Sequence, residues 1–115
     1  MVIIFSWNFV KSFNCETSNV IYMIQCNKDN CKQQYIGESD RKFRIRMLEH
    51  ISYVRNENIK KATGFHFNMP GHSIENMTFS VIEQVSKRNE YYRKEREKYH
   101  INKFNTYYKG MNRML

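Results

Sequence analysis

Arg46 and His50 stand four residues apart in a segment whose apolar residues recur with helical period, so a guanidinium and an imidazole share one helix face. Such a pair can hold an anion and handle a proton near neutrality. Glu97 lies in a second helical segment, on the side of Ile101 and Phe104. A carboxylate facing the packed side calls for a reason, such as a cation; the plainer alternative is an edge position with its head in solvent. Tyr22 is a polar-tipped aromatic inside an apolar run, either core packing with its hydroxyl satisfied at the boundary or a hydroxyl presented to a site. A second constellation holds Cys26 and Cys31 in Cys-x4-Cys spacing and His66 and His72 around the break at Pro70-Gly71. Two thiolates and two imidazoles can complete a tetrahedral structural zinc (Zn2+) site. The alternative is one buried and one exposed free cysteine with the histidines on a loop. Cys15 is then a surplus ligand or the remnant of a longer upstream cluster.

The elements that must position these groups follow from hydrophobic period. Asn19–Cys26 is a dense β-branched run and reads as a central strand. Asn27–Asn30 is turn material, and Gln33–Ile36 returns as the second arm of a hairpin, stopped by Gly37. Ser39 or Asp40 then caps a helix running to about Val54, with Phe43, Met47, Ile51 and Val54 as its apolar stripe. Ala62–Phe67 forms a short helix or turn, Met77–Val85 alternates as a third strand, and Asn89 to about Phe104 is a charged helix. Asn105–Leu115 reads as a polar tail. The expected fold class is α+β: a small three-stranded antiparallel sheet flanked by helices. Residues 1–14 read as a poorly constrained extension or a strand added at the margin, and 15–115 as the domain proper.

The 115-residue chain carries 19 basic against 11 acidic residues, a formal charge of +8, which points to a polyanionic partner, nucleic acid before acidic membrane. Three cysteines with no secretory leader argue against a disulfide scaffold. No apolar stretch approaches the roughly 18 residues that span a bilayer, so no membrane role is expected, and the nucleus or cytoplasm is the expected compartment.

Val20-Ile21-Tyr22 on the first hairpin strand and Tyr35-Ile36-Gly37 on the second resemble the paired motif that names the GIY-YIG nucleases, with Val20 in place of the first glycine. The ordered set is more specific than either half: Tyr22, Tyr35 through Ser39, Arg46-x3-His50, Arg96-Glu97, then Asn112. FHFNMPGHS (Phe65–Ser73) and INKFNT (Ile101–Thr106) are similar to the branch carried by Penelope-like retroelements, and the likeness covers about residues 15–112.

The resemblance implies phosphodiester hydrolysis in DNA with one divalent metal, Mg2+ or Mn2+. It implies Tyr22 and Tyr35 as the motif tyrosines, Arg46 as the catalytic arginine, and His50 as the histidine one turn later. Glu97 would be the metal-binding glutamate and Asn112 the late asparagine at the periphery of the site. Hydrolysis needs a nucleophilic water, a base, stabilisation of the phosphoryl oxygens and help for the leaving oxygen, and a metal ion serves the last two. One carboxylate suffices to hold a magnesium-type ion that keeps several waters. Arg46 suits the phosphate through a bidentate fork. Gly37 is expected to permit a tight strand-to-helix turn and a close backbone approach to DNA, with Arg41 and Arg44 adding phosphate contacts. In the resembled elements the domain lies beside a reverse transcriptase. Two other readings remain: a catalytically inactive, zinc-stabilised nucleic-acid-binding module, and a basic structural protein with no nucleic-acid role.

Overall fold

The computed structural model describes residues 2–4, 14–86 and 89–114, with side chains described for 14–86 and 89–112. The elements in chain order are β1 (Val2–Ile4), β2 (Val20–Cys26), β3 (Gln34–Ser39), α1 (Phe43–Arg55), α2 (Ala62–His66), β4 (Met77–Gln84), α3 (Glu90–Phe104) and α4 (Thr106–Lys109), with a closing 3-10 turn over Met111–Met114. The sheet order is β1-β4-β2-β3. Its antiparallel core of β4, β2 and β3 is the three-stranded sheet expected from the sequence. Val2–Ile4 adds a short parallel strand against Thr78–Ser80, which realises the marginal strand. Among the described residues no helix is long and apolar enough to cross a membrane.

β2 is central and both of its faces are buried, which is why its sequence is apolar without alternation. One face presents Val20, Tyr22, Ile24 and Cys26 to the α1 stripe of Phe43, Met47, Ile51 and Val54. The other presents Ile21 and Met23 with Ile36 and Val85 to Ile101 and Phe104 of α3. The sheet is thus sandwiched, with α1 and α2 on one side and α3 on the other. A register shift opposite the Ile21/Tyr22 step makes Ile82 an extra residue in β4. Glu83 therefore pairs with Ile21 on the α3 side, where Arg96 grips its carboxylate at 2.8–3.0 Å and His100 reaches it at 2.8 Å.

Three expectations need correction. The α1 helix begins at Phe43, not at a Ser39 or Asp40 cap: Ser39 is still in β3, its hydroxyl accepting from the Arg41 amide. No side chain caps α1, because the Phe43 and Arg44 amides are already met by the backbone carbonyls of Thr17 and Cys15, at 2.8 and 2.7 Å. β3 runs through Gly37 to Ser39, so Gly37 pairs with Tyr22 in mid-strand and makes no turn. The polar tail is structured. Asn105 adopts the left-handed conformation that ends α3, α4 follows, and Met111 is buried under the sheet edge.

Candidate active site and metal-ligand cluster

β3 is the open edge of the sheet, and the two helical layers meet around it. A cleft of about 360 Å³ straddles this strand, walled by Tyr35, Glu38 and Arg46 and by Arg41, Lys94 and Glu97. Arg46 comes from α1 on one side of the sheet and Glu97 from α3 on the other, while Tyr35 comes from the strand between them. A smaller recess of about 140 Å³ also has Tyr35 and Arg46 in its wall, and reaches back to His50, Tyr53, Lys61 and Thr63.

Behind the wall lies a hydrogen-bonded chain. Arg46 Nε donates to the Tyr22 hydroxyl at 2.9 Å, and that hydroxyl lies 2.7 Å from His50 Nε2. His50 Nδ1 lies 2.7 Å from Thr63 Oγ1. Arginine can only donate, so the arrangement that leaves the Tyr22 proton an acceptor runs Arg46 to Tyr22 to His50 Nε2, with His50 Nδ1–H donating to Thr63. Burial, reinforced by the charge of Arg46, lowers His50 to a pKa of about 3, so the ring is neutral as this chain requires. Burial raises Tyr22 well above the ordinary phenol value, and Tyr35 in the same direction.

Tyr22 itself is fully buried, boxed by the rings of Phe43 and His50 at 5.8 and 5.6 Å, and does not line the cleft. Tyr35 is the motif phenol that does. Gly37 is the reason Tyr22 fits: a Cβ there would collide with Cζ and the hydroxyl of Tyr22 and lie 2.9 Å from its Cε1. The glycine makes room for a phenol where a turn and a DNA contact were expected.

Glu97 is half-buried, and burial raises its pKa; Lys94 opposes the shift and the nearby Glu38 adds to it. Among the described residues its carboxylate makes no side-chain hydrogen bond or ion pair, whereas neighbouring Glu38 is held by Arg93 at 3.3 Å and Lys94 at 3.6 Å. A desolvated, unpaired carboxylate in an open polar cleft fits a hard divalent cation. Glu49, absent from the sequence reading, accepts from both Arg46 at 2.8 Å and Arg41 at 2.6 Å and so fixes both guanidinium groups. Thr63 and Tyr53 were missed as well. A lone acidic, hydroxyl or phenolic residue on a polar helix carries no periodic signal; only the fold brings these three to Arg46 and His50.

Two expected site residues stand elsewhere. Arg44 does not line the cleft; it pairs with Glu16 at 2.9 Å on the outer side of α1, where Lys42 also meets Glu16. Asn112 is buried, and both ends of its amide are used on the β3 backbone, accepting from Ile36 N–H and donating to Ile36 C=O at 2.8 Å each. It is a positioning residue for the strand that carries Tyr35 and Gly37.

The cysteine–histidine set does converge. Cys26 ends β2, Cys31 follows the hairpin turn, His66 closes α2, and His72 follows Gly71, and their ligand atoms all lie within 4.8 Å of one another. A tetrahedral zinc with bonds of about 2.0–2.3 Å needs ligand separations of roughly 3.3–3.8 Å, a contraction of about 1 Å. His72 Nε2 is buried with no hydrogen-bond partner, and His72 Nδ1 lies 3.3 Å from the Pro70 carbonyl. With Nδ1–H on that carbonyl, Nε2 presents its lone pair to the cluster, the tautomer a metal ligand needs. Burial and His72 keep His66 neutral, with a pKa of about 4. The donor set fits a metal.

A family model for the GIY-YIG catalytic domain matches residues 18–112. The chain belongs to the GIY-YIG family. No curated protein and no solved structure matches it. A GIY-YIG domain is a nuclease domain with DNA as its substrate. The GIY-YIG match starts at Ser18 and ends at Asn112, so it takes in both the hairpin and the residue that clamps its outer strand.

Proposed function

We propose that this GIY-YIG domain is a divalent-metal-dependent DNA endonuclease that nicks one strand. The observation that carries the reading is the convergence of Tyr35, Arg46 and Glu97, from three separate elements, on one cleft. A Mg2+ or Mn2+ ion at Glu97 would neutralise charge on the phosphoryl and leaving oxygens and acidify nearby water. Arg46, held from behind by Tyr22 and from the side by Glu49, offers its outer guanidinium to a non-bridging phosphate oxygen. Tyr35 orients the attacking water by hydrogen bonding. Both phenols are raised by burial and His50 is lowered to about 3, so none of these groups sits near the pH-7 optimum for a general base. Their contribution is to position and stabilise charge. Tyr22 and His50 keep Arg46 in register, and Asn112 keeps β3 in place.

Zinc is proposed for the four-ligand cluster, in a structural role. It would tie the β2–β3 turn to the end of α2, away from the catalytic cleft. The same reading includes origin in a Penelope-like retroelement, beside a reverse transcriptase, and action in the nucleus or cytoplasm; its support is the likeness of the Phe65–Ser73 segment, which also supplies two of those ligands.

The test is conversion of supercoiled plasmid to open circles by purified protein with manganese or magnesium. Nicking that disappears in Glu97→Ala and on omission of the divalent ion supports the reading. A folded protein that retards DNA without cutting it would favour the inactive, zinc-stabilised binding module, whose supporting observation is the independent fit of the Cys/His cluster. Nicking unchanged in Glu97→Ala would refute the site assignment.

A further inference from the structure

A second cleft, of about 450 Å³, opens at the other end of β3, between the end of α2 and the C-terminal turn. Phe65 and Tyr108 stand on its walls and are 39% and 74% exposed, the Tyr108 ring meeting that of Tyr107 edge-on at 5.0 Å. Gln33, Met69, Lys109 and Met111 also line it. The pairing of two exposed rings with a cation at the rim is the chemistry of a stacking platform, in which bases are held by their faces and the backbone by charge. The wall is built close by design of the chain: a Cβ on Gly110 would collide with the Gln34 carbonyl, so the Tyr108–Met111 segment lies directly on the strand.

We infer that this cleft takes an unpaired nucleotide of the DNA strand being cut, its base lodged between Phe65 and Tyr108 and its phosphate at Lys109. The inference rests on DNA being the substrate, and it names the substrate class. Gln33 precedes Tyr35 by two residues, roughly 7 Å along the strand, which is about two stacked steps of one DNA strand. The second cleft therefore adjoins the first at the start of β3, where one continuous DNA strand can reach both. A duplex keeps its bases stacked and leaves this cleft unused; a bulge or single-stranded junction fills it. The domain therefore selects DNA with unpaired bases beside the scissile phosphate. His66 forms part of the same wall and belongs to the Cys/His cluster, so a metal held there would steady the platform on the Phe65 side.

The experiment is fluorescence anisotropy with a labelled fully paired duplex and the same duplex carrying one bulged 2-aminopurine, without added magnesium or manganese and without chelator. The base's own fluorescence supplies a second readout. Stacking of one base is worth ~5- to 150-fold in affinity. Wild type should bind the bulged duplex at least tenfold more tightly and quench the 2-aminopurine. Phe65→Ala and Tyr108→Ala should each lose fivefold or more of that preference and part of the quenching, with paired-duplex binding unchanged within twofold, and Tyr108→Phe should retain both. Both aromatics are exposed, so the variants keep the fold, and matching circular dichroism checks this. Equal affinity of wild type for the two duplexes, or a preference that survives both alanine variants, overturns the inference. Binding is read without cleavage, so the two readings fail separately: nicking without bulge preference removes this one alone, and bulge preference without nicking removes the endonuclease reading alone.

Discussion

Gly37→Ala should damage both stability and activity, against the usual effect of such a change. In a strand interior, replacing glycine by alanine gains about 0.5–1 kcal/mol, because the unfolded chain loses less entropy on folding. Here the new Cβ would lie 2.9 Å from Tyr22 Cε1 and closer still to Cζ and the hydroxyl, where ordinary contact begins near 3.4 Å. The ring must retreat by about 1 Å, but Phe43, His50 and Tyr35 surround it at centroid distances of 5.8, 5.6 and 6.4 Å. Overpacking of this kind costs about 1–3 kcal/mol, and breaking the Tyr22–His50 bond leaves a buried nitrogen unsatisfied at a cost of about 1–3 kcal/mol. The net is about 2–4 kcal/mol of destabilisation, or ~10 °C in Tm. Arg46 moves with the hydroxyl it binds, and a misplacement of about 1 Å costs ~100-fold in rate. Urea unfolding and initial nicking rates measure the two effects. A double-mutant cycle with Tyr22→Leu isolates the contact, since the second substitution removes the ring and should recover at least 1 kcal/mol of the alanine's cost. A Gly37→Ala protein that unfolds at higher urea than wild type and nicks at the same rate would refute the reasoning.

Burial raises the pKa of Glu97, so its ionised form is costly in the folded protein; stability from this group is present at low pH and lost as pH rises through its raised value. Glu97→Gln should therefore be more stable than wild type at pH 7 yet inactive; urea midpoints taken without divalent ion should show the gain growing as pH rises from about 4 to 7, and a variant no more stable than wild type at pH 7 would contradict this. His50 has the opposite sign: its pKa is depressed from 6.5 to about 3, so the stability it contributes is whole above pH 6.5 and is lost as pH falls toward 3, on the order of 4–5 kcal/mol. Urea midpoints measured across that range should slope less steeply in His50→Gln, and equal slopes would show that His50 is protonated in the native protein. With free zinc a thousandfold above its Kd, the Cys/His cluster contributes about 4 kcal/mol, so a zinc chelator should lower Tm by ~10–15 °C and leave Cys31→Ser unmoved; protein that purifies without metal and ignores the chelator would remove zinc from the account.

The sheet and α1 were legible because each apolar period has one solution: Phe43, Met47, Ile51 and Val54 all bury where the stripe places them. The residue types and turn positions of Cys26, Cys31, His66 and His72 raised a four-ligand site beside the alternative of free cysteines and loop histidines, and the fold decides between them by bringing the four ligand atoms within 4.8 Å of one another. What local pattern could not show is what the third dimension supplies. The α1 cap was misplaced because its amides are met by carbonyls of Cys15 and Thr17, which have no side-chain signature. Gly37 was read as a turn because glycine usually breaks strands, whereas the reason for it is a ring on the neighbouring strand. Asn112 was placed in the site and its clamp on Ile36 went unseen, because 76 residues separate the partners. Glu49 and Thr63 were passed over because their importance lies wholly in what they touch.

The carboxamide of Asn112 has a consequence for the behaviour of the molecule in concentrated solution. β3 is the edge of the sheet on this side, and Ile36 points its N–H and C=O outward, where another chain's strand could add. Exposed strand edges of this kind template aggregation. Asn112 takes up both groups with the geometry of a one-residue partner strand, so the sheet ends in a side chain rather than in an invitation. At Ile36 the edge thereby offers no free backbone pair to a second copy of the chain.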